Sequence, residues 1–143
     1  MNRTHKQLLE ELGLTRGELD HFLVGGVAGV LEPKGPGRNR TYNDVHFARL
    51  KIGSALNKRL KFTTRQMIWA LNLMSAADLK RAGEGNQPQV SIILAGSSAT
   101  DLSLVQLIDR GQPHSWFVAA QVAKWPFVSV IHLEYIVLGE RHE

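Results

Sequence analysis

The spacing Thr-x-x-Gln or Thr-x-x-Glu occurs three times in this chain of 143 residues, at Thr4–Gln7, Thr15–Glu18 and Thr63–Gln66. At a helix start the first backbone N–H groups have no partner within the helix. In this box the threonine hydroxyl accepts one of them, and the side chain three residues on accepts the N–H of the threonine itself. Helix starts are therefore expected at all three positions, whatever the hydrophobic pattern says.

The first two boxes lie close together. Leu8, Leu9 and Leu12 form an apolar face behind Thr4, Gly13 ends the helix, and Leu19, Phe22 and Leu23 follow behind Thr15. Two short helices joined by a tight glycine-containing turn are what a helix-turn-helix needs. Residues 15–24 would then be the recognition helix. Arg16 is its best candidate for reading guanine, because a guanidinium bonds O6 and N7 together. Thr15 and His21 are weaker candidates for base or phosphate contacts. Glu18 and Asp20 oppose phosphate, unless Glu18 is occupied by its cap and Asp20 orients Arg16 at i,i+4.

Gly25, Gly26 and Gly29 come after a helical pattern and no Gly-Lys-Ser/Thr follows, so they read as a helix cap and turn and not as a nucleotide-binding loop. Gly35-Pro36-Gly37 favours a tight reversal. Arg38 and Arg40 alternate with Asn39 and Thr41, which on an extended segment sets both guanidinium groups on one face. Asn43 or Asp44 can cap the helix that follows Tyr42. Its stripe is Val45, Ala48, Ile52, Leu56 and Leu60, with Arg49, Lys51, Lys58, Arg59 and Lys61 mostly off it.

Gly29-Val30-Leu31-Glu32-Pro33, Arg40-Thr41-Tyr42-Asn43 and Leu50 together resemble the MerR-type winged helix-turn-helix. In that family a Gly-Leu-Leu-x-Pro-like turn leaves the recognition helix, and an Arg-x-Tyr-Ser wing leads into the next helix. The likeness covers roughly residues 4–75. His46 stands where that family usually has Asp, Lys61 replaces a common Gly, and no Arg-Tyr-Tyr run appears in the recognition helix. The resemblance implies DNA binding through helix and wing.

Charge supports a polyanionic partner for this half. Residues 1–83 hold 14 Lys/Arg against 7 Asp/Glu, and residues 84–143 hold 3 against 6. Within residues 34–65 the ratio is 9 to 1, a density expected of a surface that meets nucleic acid. The absence of cysteine rules out thiolate metal sites, disulfides and a cysteine nucleophile. The six histidines show no paired metal-ligand spacing, and the Gly-x-Ser-x-Gly elbow is missing around Ser97 and Ser98. Neither an enzyme, a metal site nor a cofactor is expected. Without a signal peptide or a long apolar run, a cytoplasmic protein that does not enter membranes is expected.

The third box predicts one helix of about 18 residues from Thr63 to Arg81, apolar on two faces. Residues 83–88 read as a linker. Beyond it, strands are expected at 89–95, 115–124 and 128–133, and a helix at 100–110. Trp116, Phe117, Trp125 and Phe127 gather in this tail as core or as a binding surface.

The expectation is an α+β protein: a winged helix-turn-helix DNA-binding domain with connecting helix at residues 1–84, then a small α/β dimerisation or sensing unit at 85–143. Its function would be sequence-specific binding of double-stranded DNA, as a transcriptional regulator acting as a homodimer. Thr15 and Arg16 would enter the major groove. Arg38, Arg40 and Tyr42 would clamp the adjacent backbone, with Lys34, Arg49, Lys58 and Arg59 as further phosphate candidates. A small-molecule or protein effector at the tail stays open. So do an excisionase-type architectural factor and an antitoxin or adaptor module.

Overall fold

The computed structural model describes residues 2–31, 40–83, 90–109 and 112–132. It is a mixed α+β fold. A short strand β1 (Arg3–Thr4) leads into helices α1 (His5–Leu12) and α2 (Arg16–Val24). Strand β2 (Thr41–Tyr42) then precedes the long α3 (Asp44–Leu60), and α4 (Thr64–Asn72) and α5 (Ala76–Gly83) follow. The remainder is β3 (Val90–Ser98), β4 (Asp101–Asp109), α6 (Gln112–Lys124) and β5 (Phe127–His132).

All three threonine boxes form, with both reciprocal bonds present at Thr4–Gln7, Thr15–Glu18 and Thr63–Gln66. Gly13, at φ 65°, makes the left-handed turn between α1 and α2, and its N–H donates to Leu9 O. That conformation costs glycine nothing sterically. A matching turn ends α3, where Lys61 sits at φ 59° without being glycine.

The expected single helix from Thr63 to Arg81 is two helices. Leu73 and Met74 bond back to Ala70 O and Leu71 O, three residues behind them. Ser75 Oγ then accepts the N–H of Asp78 at 3.1 Å. The serine offers the backbone a new start where the old helix ends. The break sends α5 back against α3, with Leu79, Ala82 and Gly83 buried. Packing there is close: a Cβ on Gly83 would fall 2.0 Å from Asp44 O.

In the tail, two expected elements are exchanged. Residues 101–109 form a strand, not a helix, because the apolar spacing is that of a bulged strand. Ala95 pairs with Leu104 but Gly96 pairs with Leu102, so one residue is skipped. The skip brings Leu102 onto the same face as Val105 and Leu107, and a strand with an odd step imitates the three-residue step of a helix. Residues 112–124 form a helix, not a strand, for a topological reason. The sheet order is β4-β3-β5, and both outer strands run antiparallel to β3. β4 and β5 are therefore parallel to each other, and a parallel connection requires a crossover, usually helical. The run Phe117-Val118-Ala119-Ala120-Gln121-Val122-Ala123 also lacks period-two alternation. The strands expected at 89–95 and 128–133 are present as β3 and β5.

One face of the sheet carries Ile92, Leu94, Leu102, Val105, Leu107 and Ile131, and these join the core that runs through Leu8, Leu19, Leu50, Leu56 and Leu71 of the helices. Ile93 and Ala95, on the opposite face of β3, are also fully buried. Helical residues and sheet thus share one continuous core. A polar tie crosses the same contact, with Leu107 N–H donating to Asp78 Oδ2 at 3.1 Å.

Candidate nucleic-acid interface

The start of α2 is open to solvent. Thr15, Arg16, Gly17 and Glu18 are exposed, and a Cβ on Gly17 would meet nothing within 4 Å. Leu19 and Phe22 hold the other side of the helix in the core. Thr15 Oγ1 accepts the Glu18 N–H at 3.1 Å, and Glu18 Oε1 accepts the Thr15 N–H at 2.9 Å. That backbone bond is the main reason the Glu18 carboxyl is held below its ordinary range, and the positive field of Lys58 adds to it. The carboxylate is thus committed to its own helix start and keeps its negative charge there. Asp20 stands 3.8 Å from His5 Nε2 of α1; orienting Arg16 at i,i+4 was one reading of its role.

The pairing of β1 with β2 was not foreseen, and it assembles the site. Arg3 lies opposite Tyr42 and Thr4 opposite Thr41. This carries Arg40 and Tyr42 to the start of α1, beside the first turn of α2. An open groove of about 760 Å³ results, lined by Thr4, His5, Lys6, Leu9, Arg16, Arg40 and Tyr42. Arg16 and Arg40, 24 positions apart in the chain, line one concavity with Lys6. Lys6 is outside the expected set; its place in the first turn behind the Thr4 cap is the local signal for it.

Several expected contacts have other uses. Tyr42 is 3% exposed, its ring tilted against His5 and edge-on to His46 at centroid distances of 6.4 and 6.3 Å. Burial raises the pKa of its phenol, against the opposing field of Arg40. Tyr42 is therefore a wall of the groove and not a projecting clamp. Arg49 is buried too: its Nε–H donates to Val27 O at 2.9 Å and Nη1 to Asn72 Oδ1 at 3.2 Å. Burial draws its pKa down. It ties the turn after α2 to the end of α4, so it is removed from the phosphate set. The helical stripe counted Arg49 as surface because its neighbours in space, Val27 and Asn72, are distant in sequence.

The remaining candidates are more open. His21 is exposed, with Nε2 3.5 Å from Thr64 Oγ1. Arg59 is exposed and Lys58 half-buried in the last turn of α3. Lys34 and Arg38 lie outside the described residues, as does the Gly35–Gly37 reversal. Among the described residues no cluster of three His, Asp or Glu side chains could hold a metal ion, and no helix is long and apolar enough to cross a membrane.

Comparison with protein-family models gave no match for this chain. None of the curated proteins matches it either.

Proposed function

We propose that this protein binds double-stranded DNA through its N-terminal half and acts as a sequence-specific transcriptional regulator of MerR-like type. The observation that carries this reading is the groove at the start of α2, where Lys6, Arg16 and Arg40 come together beside a solvent-open helix end. The first turn of α2 enters the major groove, with Arg16 against base edges. Lys6 and Arg40 hold the flanking phosphates, and Lys58 and Arg59 at the end of α3 extend the positive surface. One short helix reads few base pairs, so a homodimer on two half-sites supplies the remaining specificity.

The test is fluorescence anisotropy on genomic-fragment duplexes over a salt series, with wild type beside Lys6→Ala, Arg16→Ala and Arg40→Ala. Affinity should fall steeply with salt. Each lost phosphate contact should reduce the log–log slope by about 1. Arg16→Ala should in addition flatten the preference among sequences. Duplex binding that is absent at low salt, or that has the same salt slope in all four proteins, would sink this reading. A footprint with dyad symmetry supports the regulator; repeated direct sites would reassign the protein to the architectural class.

A further inference from the structure

The start of α3 carries a fourth capping box, and its chemistry differs from the other three. Asn43 Oδ1 accepts the His46 N–H at 2.9 Å, and the Asn43 N–H donates to His46 Nδ1 at 3.1 Å. Where the other boxes use Gln7, Glu18 and Gln66, this one uses an imidazole, which has a second nitrogen. His46 Nε2 lies 2.8 Å from Val30 O. Backbone groups have fixed roles, so they dictate the tautomer: Nδ1 faces a donor and must be bare, and Nε2 faces an acceptor and must carry the proton. The ring is buried, with Tyr42 edge-on to it.

We infer that His46 is a proton-sensitive clasp that joins Val30, at the exit of the turn after α2, to Asn43, at the start of α3, and so positions Arg40 and Tyr42 in the groove. A proton on Nδ1 removes the acceptor and points an N–H at the Asn43 N–H. The box then opens and the Val30–Asn43 tie loosens. An imidazole can take up a proton at its accepting nitrogen and become a two-sided donor, a change that the Gln7 and Gln66 amides of the other boxes do not offer. Charged and titratable groups surround the clasp. Tyr42 of β2 meets the ring directly. On α3 itself stand Asp44, bonded by Arg3 of β1, and Arg49, which bonds Val27 O in the same turn as Val30. Arg40, three residues before Asn43, bears on Tyr42. His46 is a positioning residue in this scheme. The effect on DNA rests on the reading given under Proposed function, whereas the clasp does not.

Long-range ¹H–¹⁵N correlation on the full chain reads the tautomer directly, and hydrogen exchange reads the Asn43 amide. Wild type should show the Nε2–H form near pH 8. Acidification until the ¹⁵N shifts report the imidazolium should lower the Asn43 protection factor by roughly tenfold, the scale of one net hydrogen bond. In His46→Gln, which keeps the acceptor of the other boxes without a titrating group, that protection should stay flat. Duplex affinity should fall on acidification by several-fold more in wild type than in His46→Gln; this comparison cancels every pH effect that the two proteins share. An Nδ1–H tautomer, or equal protection profiles in the two proteins, would overturn the clasp. The tautomer and the wild-type protection profile need no variant, so a wrong tautomer or a flat profile overturns the clasp even if His46→Gln does not fold. A correct tautomer with falling protection, but no duplex binding at any pH, would instead defeat the DNA reading and leave the clasp in place.

Discussion

The helical part, residues 2–83, and the sheet part, residues 90–132, are held together by different means. Of the five buried polar or charged residues among those described, Arg3, His46, Arg49 and Ser54 belong to the first and Ser91 to the second. Arg3 alone reaches Glu11 Oε2 at 2.9 Å, Asp44 Oδ1 at 3.0 Å and Gly83 O at 3.2 Å, with its guanidinium 3.7 Å from the centre of the Phe47 ring. It links β1, α1, α3 and α5 at one point. The sheet depends on its backbone ladder and on apolar burial, with Ile92, Ile93, Leu94 and Ala95 wholly inaccessible. Directional contacts set where helices sit and are sensitive to charge and pH. Burial is tolerant of direction but sensitive to volume. The two parts should therefore fail differently.

The largest effect is expected in the sheet. Leu94→Ala removes a side chain between Val105 and Ser129 and should cost about 3 to 4 kcal/mol. Because the core is continuous, chemical denaturation should lose helix and sheet signals in one transition; separate transitions would break the shared core into two.

Arg3→Ala should cost about 2 to 3 kcal/mol, since it removes a buried cation that donates to two carboxylates and a carbonyl. It should also change the acid limb. Burial alone would raise the pKa of Asp44, but hydrogen bonding, including that from Arg3, outweighs it and holds the carboxyl below its ordinary range. A group depressed in this way adds stability above its unfolded pKa and loses it as pH falls through the folded value. Wild type should accordingly lose more stability than Arg3→Ala on acidification below about pH 4. Parallel pH profiles would remove the polar half of the contrast.

A smaller loss, about 1 kcal/mol, is expected for Thr63→Ala, which deletes one cap but no core. Lys61→Gly should run the other way. The left-handed backbone at φ 59° suits glycine, so urea denaturation should show a gain of about 0.5 to 1 kcal/mol. The smallest change in stability, within about 0.5 kcal/mol, belongs to Arg59→Ala on the exposed end of α3. Its effect should appear in the salt slope of duplex binding, reduced by about 1.

The same contrast explains which parts of the molecule were legible. Helix starts at Thr4, Thr15 and Thr63 were readable because a capping box spans four residues and both partners are in plain view. Ser75-x-x-Asp78 at the start of α5 is a partial form of the same signal, with only the Asp78 N–H bonded to Ser75 Oγ, and the apolar pattern that runs on through Leu73 and Met74 masks it. Arg16 could be placed on an open helix end from the box and the core side of α2. Its meeting with Arg40 and Lys6 could not be foreseen, because a two-residue ladder between β1 and β2 joins positions about 38 apart. Arg49 was misplaced for the same reason.

By itself, the chain's local chemistry determined its basic and acidic halves, its capped helices and the glycine turn between α1 and α2, all of them decided within a few residues. Only the tertiary structure decided that 101–109 is a bulged strand and 112–124 a crossover helix. A strand's identity depends on the partner that completes its ladder, and a connection's form depends on whether the strands it joins are parallel. The tertiary structure also decided that one core serves both parts, because burial is a property of surfaces that meet and not of the segments that carry them.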